Sequence, residues 1–290
     1  MDGKVERKVS RRVFLRNLSM GLAVPGFGAA YSTQIEPFWP QYHEVPMPVK
    51  DLPASFEGVR IAQLTDLHVS NAVPVGYIRA VIREVNRLKP DVVFVTGDLV
   101  TRQEGWIQEA CEAVALLEAP TYVSLGNHDY GQMIYQKRWI DVAQEIQTRL
   151  ASAGKIVLRN TAVQLGRGSE RIWVMGLDDI WSGRFSPAQA FAGVNVPGPV
   201  LALSHNPDTA AALDSYGASW IFAGHTHGGQ IRIPGYGALI VPVQDKRLQE
   251  GLYSFPKSQL YISRGVGYLA RARFCCRPEV PIFTMTRAAG

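Results

Sequence analysis

The stretch Val-Arg-Ile-Ala-Gln-Leu-Thr-Asp-Leu-His, residues 59–68, decides the fold class of this chain. A short apolar run fills its first half, and two chemically versatile side chains, Asp66 and His68, follow at once. Apolar residues then recur at helical spacing between Ile78 and Leu88, and a second apolar run covers residues 92–96. A strand, a helix and a second strand in this order indicate the α/β class.

The same alternation continues along the chain, with more consecutive strands towards its end. Helical spacing predicts helices at residues 103–117, at 139–151 and near Ala210. Apolar runs predict strands at residues 121–125, 172–175, 200–203, 220–223, 231–241, 260–263 and 280–285, and near residues 156 and 162. We expect two packed sheets with helices outside. No low-complexity linker interrupts residues 58–290, which are therefore predicted to form one domain.

The charge of the chain is concentrated at its N-terminus. The 290 residues carry a net charge of +5, and the six basic and two acidic side chains of residues 1–30 contribute +4 of it. The rest of the chain therefore lacks a basic stripe that could neutralise many phosphates, which argues against specific nucleic-acid binding and against a nuclease. With 47% apolar and 19% charged residues, the composition is that of an ordinary folded protein.

The first 57 residues are predicted to direct and tether the domain. Ser10-Arg11-Arg12-Val13-Phe14-Leu15-Arg16 precedes a Gly-rich apolar run, the form of a twin-arginine export signal at residues 1–30. The alternative is a solvated basic tail leading into an amphipathic helix. Export implies the twin-arginine translocase as a partner and a periplasmic or cell-envelope location, with the signal either cleaved or retained as an inner-membrane anchor or membrane-surface segment. Five prolines in residues 31–57 predict an extended tether or a strand-like strap.

The three cysteines do not predict a disulfide scaffold. Cys275 and Cys276 are adjacent in sequence and poorly placed for an unstrained mutual bridge. Cys111 falls on the apolar face of a predicted helix. The fold is therefore expected to rest on its core.

Five of the six histidines stand in short polar clusters at the ends of the apolar runs. The clusters are Asp66-Leu67-His68, Gly97-Asp98, Gly126-Asn127-His128-Asp129, Ser204-His205-Asn206 and Gly224-His225-Thr226-His227-Gly228-Gly229. Imidazole, carboxylate and amide groups together make a mixed nitrogen and oxygen site for divalent metals. Taken singly, each histidine could be a hydrogen-bonded structural group and each aspartate a cap or turn former. Their joint occurrence favours a metal site.

The order and spacing of these clusters resemble the calcineurin-like metallophosphoesterase superfamily across residues 59–230. The resemblance implies a four-layer α-β-β-α sandwich of two mixed sheets and a dinuclear centre of two divalent ions, Mn, Fe or Zn. Position by position it implies that the first metal is bound by Asp66, His68 and His227, the second by Asn127, His205 and His225, with Asp98 bridging the two.

The resemblance also implies a reaction, in which a metal-bridging hydroxide attacks phosphorus in line. His128 would stabilise or protonate the leaving oxygen, and Asp129 would orient its imidazole and favour its charged form. The alternative for His128 is a structural group beside the site. Arg264 and Arg277 could steer a substrate phosphate, although loop or surface ion pairs are the favoured interpretation.

The predicted function is that of a metal-dependent phosphodiesterase that cleaves phosphodiester or pyrophosphate bonds. No long insertion separates the clusters, so an open groove is expected, and a lipid-linked phosphate substrate would fit it. One alternative is a UDP-2,3-diacylglucosamine pyrophosphatase of lipid A synthesis, whose substrate belongs to the cytoplasmic face. An alternative of another class is a non-catalytic binding module that the metals merely scaffold.

Overall fold

A computed structural model of the chain describes residues 27–101, 105–131 and 142–288. The predicted twin-arginine motif at Arg11 and Arg12 lies outside these ranges, as does Trp139, where the sequence predicts the start of a helix. Within the described ranges, no helix has both the length and the apolar composition needed to cross a membrane.

The described strands form two six-stranded sheets and a small two-stranded ribbon. In chain order the strands are Gln41–Val49 (β1), Arg60–Leu64 (β2), Val92–Thr96 (β3), Thr121–Ser124 (β4), Ile156–Val157 (β5), Thr161–Arg167 (β6), Glu170–Gly176 (β7), Val200–Leu203 (β8), Trp220–Ala223 (β9), Arg232–Ile233 (β10), Gly237–Ala238 (β11), Gly251–Ser254 (β12), Gln259–Ile262 (β13) and Glu279–Arg287 (β14). The first sheet has the order β1-β14-β2-β3-β4-β5, and the second has the order β12-β13-β9-β8-β7-β6.

Each sheet is mixed and contains four neighbouring parallel strands. These are β2, β3, β4 and β5 in the first sheet and β7, β8, β9 and β13 in the second. Parallel neighbours need crossover connections, and most of these contain a helix. The described α-helices are Val75–Leu88, Ile107–Ala115, Val142–Ser152, Pro187–Ala192 and Ala210–Tyr216.

Three apolar clusters show how the layers pack. Phe94 of β3, Phe222 of β9 and Phe283 of β14 belong to a cluster between the two sheets. Ile78, on the first α-helix, packs on the outer face of the first sheet, and Leu213, on the last, packs on the outer face of the second. The predicted four-layer α-β-β-α sandwich of two mixed sheets is confirmed.

Residues 31–57 contribute an edge strand to the first sheet. Strand β1 pairs in parallel with β14, and Val45, Met47 and Val49 are buried between the sheets. Pro46 and Pro48 alternate with them and have exposed side chains, and prolines are tolerated here because β1 is an edge strand. Of the two forms expected for this segment, the structure shows a strand, and the folded unit therefore begins before residue 58.

The strand predicted at residues 231–241 is wrong in extent. The structure contains only the two-residue strands β10 and β11, which pair with each other and join neither sheet. Pro234 and Gly235 form the turn between them, and Gly235 has a φ of +80°. The apolar side chains of this hairpin are largely exposed, for example Tyr236 and Ile240. This apolar segment therefore lies on the surface and not inside a sheet.

Candidate metal centre

The polar clusters meet where the parallel strands of both sheets end. Asp66 and His68 follow β2, Asp98 follows β3 and Asn127 follows β4, while His205 follows β8 and His225 and His227 follow β9. All seven side chains are buried. Carboxyl ends of parallel strands share one edge of a sheet, and the packing of the two sheets brings the two edges together.

The ligand atoms fall into two groups of three. Asp66, His68 and His227 form one group, and Asp98, His205 and His225 form the other. In the first group His227 Nε2 lies 3.0 Å from His68 Nε2 and 3.3 Å from Asp66 Oδ1. In the second group His205 Nε2 lies 3.1 Å from Asp98 Oδ2 and 3.3 Å from His225 Nδ1.

Asp98 lies between the two groups. Its Oδ2 is 3.5 Å from His68 Nε2 and 3.1 Å from His205 Nε2, which places one carboxylate oxygen near an imidazole of each group. Its other oxygen accepts a hydrogen bond of 3.0 Å from the backbone N–H of His128. Asn127 is buried one residue before His128. The structure thus brings six of the seven predicted ligands into two groups, with Asp98 between them.

Backbone carbonyl groups fix the tautomers of two of these histidines. His205 Nδ1 donates to Thr96 O at 2.8 Å, and His225 Nε2 donates to Pro242 O at 3.0 Å. A carbonyl oxygen accepts only, so each of these nitrogens carries a hydrogen. When both imidazoles are neutral, as metal binding requires, the opposite nitrogens, His205 Nε2 and His225 Nδ1, carry the lone pairs and lie 3.3 Å apart.

Five of the candidate ligands have a left-handed backbone. The φ angles are +53° at Asp66, +48° at His68, +55° at Asp98, +68° at His225 and +52° at His227. This conformation costs a residue other than glycine on the order of 1–3 kcal/mol and concentrates at functional sites. Such turns at strand ends direct side chains two residues apart into one site. The packing of the surrounding structure must offset the free-energy cost of these backbone conformations.

Two glycines leave room for the carboxylates. A Cβ on Gly126 would lie 2.2 Å from Asp98 Oδ1, and a Cβ on Gly224 would lie 2.3 Å from Asp66 Oδ2. Both distances are far below van der Waals contact, so any side chain would displace the carboxylate. These two glycines therefore permit the close approach of neighbouring loops rather than only a turn.

The electrostatics of the chain without metal show how strongly the carboxylates depend on positive partners. Burial acts to raise the pKa of Asp98, yet the charges of His205 and His128 hold it well below its usual range. Burial acts to lower the pKa of His205, and Asp98 and Asp66 raise it well above its usual range. By contrast, burial and the charge of His205 lower the pKa of His225 to about 4. His225 is thus neutral at pH 7, the form that binds metals.

The role expected for Asp129 is wrong. His128 Nδ1 donates to Thr101 O at 2.8 Å, so a backbone carbonyl orients this imidazole. The carboxylate of Asp129 instead accepts from the backbone N–H of Leu99 at 2.9 Å and of Gly126 at 3.0 Å. It joins the loop after β3 to the loop after β4 and thereby positions two ligand loops. Burial, together with the charge of Asp98, raises the pKa of Asp129 to about 7.

His128 itself lies beside the metal-binding groups. One of its nitrogens lies within 4.8 Å of ligand atoms of His68 and Asp98, and its ring stands edge-on to that of His68, with centroids 5.0 Å apart. Burial lowers its pKa, and Asp98 opposes that shift. Because Nδ1 is bound to Thr101, Nε2 is the nitrogen available to a leaving group.

A second acidic pair at a strand end escaped the sequence reasoning. Asp178 and Asp179 follow β7, and both are buried. Asp178 accepts a hydrogen bond of 2.5 Å from Tyr130 and pairs with Arg159 at 3.2 Å. Asp179 Oδ1 accepts from Trp181 N, while its Oδ2 is buried without a hydrogen-bond partner. The same strand-end rule that singled out Asp66 could have found this pair.

The cysteines and Glu36 support the loop of His227. Cys276 Sγ–H donates to His227 O at 3.2 Å, and the carboxylate of Glu36 accepts the backbone N–H groups of Cys275 and Cys276 at 3.1 and 2.5 Å. All three cysteines are free thiols. Glu36 lies far from Cys275 and Cys276 in the sequence, so no local sequence pattern predicts their contact.

The two arginines considered for phosphate steering are engaged elsewhere. Arg264 binds Glu279 through Nε at 2.9 Å and through a terminal nitrogen at 2.6 Å, and Arg277 lies 4.0 Å above the ring centre of Trp39. Both contacts are structural, which agrees with the favoured interpretation of loop or surface pairs.

Comparison with known proteins agrees with this geometry. The family model of calcineurin-like phosphoesterases matches residues 59–229. The chain belongs to the calcineurin-like phosphoesterase family. It is 35% identical to the phosphodiesterase YaeI of Escherichia coli, over 96% of this chain and 99% of that relative. It is 30% identical to the metallophosphoesterase YkuE of Bacillus subtilis, over 96% and 98% of the two chains.

A third relative is a pyrophosphatase. The chain is 30% identical to the UDP-2,3-diacylglucosamine pyrophosphatase LpxG of Chlamydia trachomatis, over 78% of this chain and 83% of that relative. The family, together with the two buried groups of carboxylate and imidazole ligands, identifies the protein as a metal-dependent phosphoester hydrolase with a dinuclear divalent metal site. The enzyme class expected from the sequence is confirmed.

Proposed function

We propose that this enzyme cleaves phosphodiester or pyrophosphate bonds with two divalent cations held by the seven residues predicted for them. Asp66, His68 and His227 would hold one cation, and Asn127, His205 and His225 the other, with Asp98 shared. The observation that carries the proposal is the pair of three-residue ligand groups that meet at Asp98. Two cations bound there would acidify water at neutral pH and stabilise the negative charge that develops on phosphate oxygens.

The protein supplies the remaining functions through its own groups. Thr101 O accepts a hydrogen bond from His128 Nδ1, so only the charged imidazolium, which Asp98 favours against burial, carries the Nε2 proton that would stabilise or protonate the leaving oxygen. Asp129 keeps the loops of Asp98 and Asn127 in register through Leu99 and Gly126. Help from His128 matters most when the leaving oxygen is strongly basic, as in an alkyl phosphodiester, and least when the leaving group is itself a phosphate, as in a pyrophosphate.

Mn, Fe and Zn all suit this set of nitrogen and oxygen ligands. Metal analysis of the purified protein and add-back of each ion after chelation would identify the working pair.

The second candidate substrate is a UDP-2,3-diacylglucosamine-type pyrophosphate, and the resemblance to LpxG favours it. Against it stands the proposed twin-arginine export, which would place the enzyme in the periplasm or cell envelope while such a substrate belongs to the cytoplasmic face. Replacing Arg11 and Arg12 with Lys should keep an exported protein in the cytoplasm. Unchanged distribution of that variant would remove the export proposal and favour the sugar-nucleotide substrate.

One experiment tests the proposed function directly. The full chain is assayed with bis(p-nitrophenyl) phosphate, after chelation and again after Mn²⁺ is restored, beside the Asp98→Asn variant. We expect hydrolysis that chelation abolishes, that Mn²⁺ restores and that Asp98→Asn reduces strongly. Failure of Mn²⁺ to restore any hydrolysis, with Asp98→Asn indistinguishable from wild type, would instead favour a metal-scaffolded binding module. A panel of monoesters, diesters and sugar-nucleotide lipids then ranks the substrates.

A further inference from the structure

The exposed apolar side chains of the described residues are concentrated on one part of the surface. Three segments, residues 27–40, 229–243 and 265–278, make up about a sixth of the described chain. They carry ten of its fifteen exposed large apolar side chains. Tyr236 is 76% exposed, Ile240 78% and Phe27 72%. We call these three segments the apolar face. Concentration at this level marks an interaction surface, whereas scattered apolar residues need no explanation.

Hydrogen bonds join the three segments into one surface. Phe274 N donates to Gln230 O, and Arg232 N donates to Phe274 O, both at 2.9 Å, which links the hairpin to the C-terminal segment. Arg273 N donates to Ser32 O at 2.8 Å, and Arg271 lies 5.0 Å above the ring centre of Phe38, which links the same segment to residues 27–40.

The charges of the apolar face have one sign. Its basic side chains are Arg232, Arg271, Arg273 and Arg277, and its only carboxylate, Glu36, is buried against two backbone N–H groups. Arg273 is buried, Arg271 is exposed, and Arg232 pairs with Glu250 beside the face at 3.3 Å. An apolar surface with basic and without exposed acidic groups is complementary to anionic lipid headgroups above an acyl layer.

We propose that the apolar face binds the surface of an anionic phospholipid bilayer. The described chain begins on this face at Phe27, and residues 1–26 before it carry a net charge of +4. A second copy of the chain would bring two positively charged faces together. Residues 1–26, if they folded over the face, would likewise bring positive charge against positive charge. An anionic membrane is the occupant whose charge is opposite to that of the apolar face and to that of residues 1–26.

The apolar face borders the metal centre. Pro242, whose carbonyl oxygen binds His225, lies two residues after the exposed Ile240. A Cβ on Gly229, two residues after His227, would lie 2.9 Å from Ile240 O. A bilayer on this face would therefore hold phosphate groups of amphiphilic substrates near the ligands. This consequence for the substrate class rests on the proposed function, whereas membrane binding itself does not.

Sedimentation with vesicles tests the proposal on the full chain. The face variant is Ile233→Ser/Tyr236→Ser/Leu239→Ser, and its matched control, Leu116→Ser/Ile156→Ser/Tyr216→Ser, removes three side chains of 49%, 41% and 46% exposure from other surfaces. With vesicles of equal parts phosphatidylcholine and phosphatidylglycerol, we expect the face variant to partition at least about tenfold less than wild type, because less apolar surface enters the lipid. The control variant should partition as wild type does. High salt should weaken the binding of both proteins to these vesicles.

The outcomes separate this inference from the proposed function. Equal partitioning of the face variant and wild type, or no binding of wild type, would overturn the membrane proposal. A wild-type dimer in light scattering that the face variant loses would also overturn it, in favour of a second copy. Hydrolysis of soluble bis(p-nitrophenyl) phosphate is measured on the same samples and should be equal in all three proteins. If no sample hydrolysed the diester, the proposed function would be refuted. A loss of vesicle binding confined to the face variant would still support the membrane proposal.

Discussion

Replacing Gly126 with Ala should disrupt the metal centre without straining the backbone at the mutated position. Gly126 has φ −96° and ψ 175°, which any residue adopts, so the added methyl group acts only through contact. That methyl carbon would lie 2.2 Å from Asp98 Oδ1. Carbon and oxygen atoms in contact stay about 3.3 Å apart, so the carboxylate must move by about 1 Å. The backbone of Asp98 must also shift, because its N would lie 2.6 Å from the same carbon.

A displacement of this size should be visible in both activity and stability. A misplacement of about 1 Å can cost ~10²-fold in rate, and overpacking typically costs about 1–3 kcal/mol of unfolding free energy. We expect Gly126→Ala to hydrolyse bis(p-nitrophenyl) phosphate ~10²-fold more slowly and to retain less metal in plasma mass spectrometry. Gly76→Ala is the control, since Gly76 lies in the helix Val75–Leu88 with nothing within 4 Å of the added carbon. Wild-type metal content and turnover in Gly126→Ala would refute the argument from close approach.

Three further variants test other parts of the account. His128→Asn should lower turnover by ~10²–10⁴ while the metal content stays at the wild-type level, whereas a much smaller loss would reduce His128 to a structural group. Glu36→Ala should lower the unfolding free energy by about 2–4 kcal/mol in urea titrations, because two backbone donors lose a buried carboxylate. Burial raises the pKa of Asp179 to about 6. In the metal-free protein the protonated carboxyl therefore adds to the free energy of unfolding below pH ~4, and this contribution is lost as the pH rises through about 6. Relative to Asp179→Asn, wild type should therefore lose stability over that interval in chelator, and parallel pH profiles would contradict this pKa.

The fold was predictable because its signals are local. Apolar runs of strand length and helical spacing predicted most described strands and helices, including Arg60–Leu64 and Val75–Leu88. The hairpin around Tyr236 was mistaken for a sheet strand because an apolar composition does not reveal whether a segment packs inside or remains on the surface. The edge strand Gln41–Val49 was left open because its prolines suit an extended tether as well as an exposed sheet edge.

The candidate ligands were predictable for a similar reason, since each follows a strand and the strand ends converge. Their partners were not, because these contacts join residues far apart in sequence. Nothing in the sequence around His128 shows that Thr101 O binds its imidazole or that Asp129 turns instead towards Leu99. The left-handed backbone at Asp66, His68, Asp98, His225 and His227 also has no sequence signature, because residues other than glycine rarely adopt it.

The number of divalent cations bound by each chain tests the central claim most directly. The full chain is loaded with Mn²⁺ and dialysed, and its metal content is measured by plasma mass spectrometry beside that of Asp98→Asn. Because Asp98 lies between the two ligand groups, we predict two equivalents in wild type and a loss of binding at both positions in the variant. Wild type that binds one equivalent or none while it hydrolyses phosphodiesters, or Asp98→Asn that keeps both ions, would contradict the dinuclear centre.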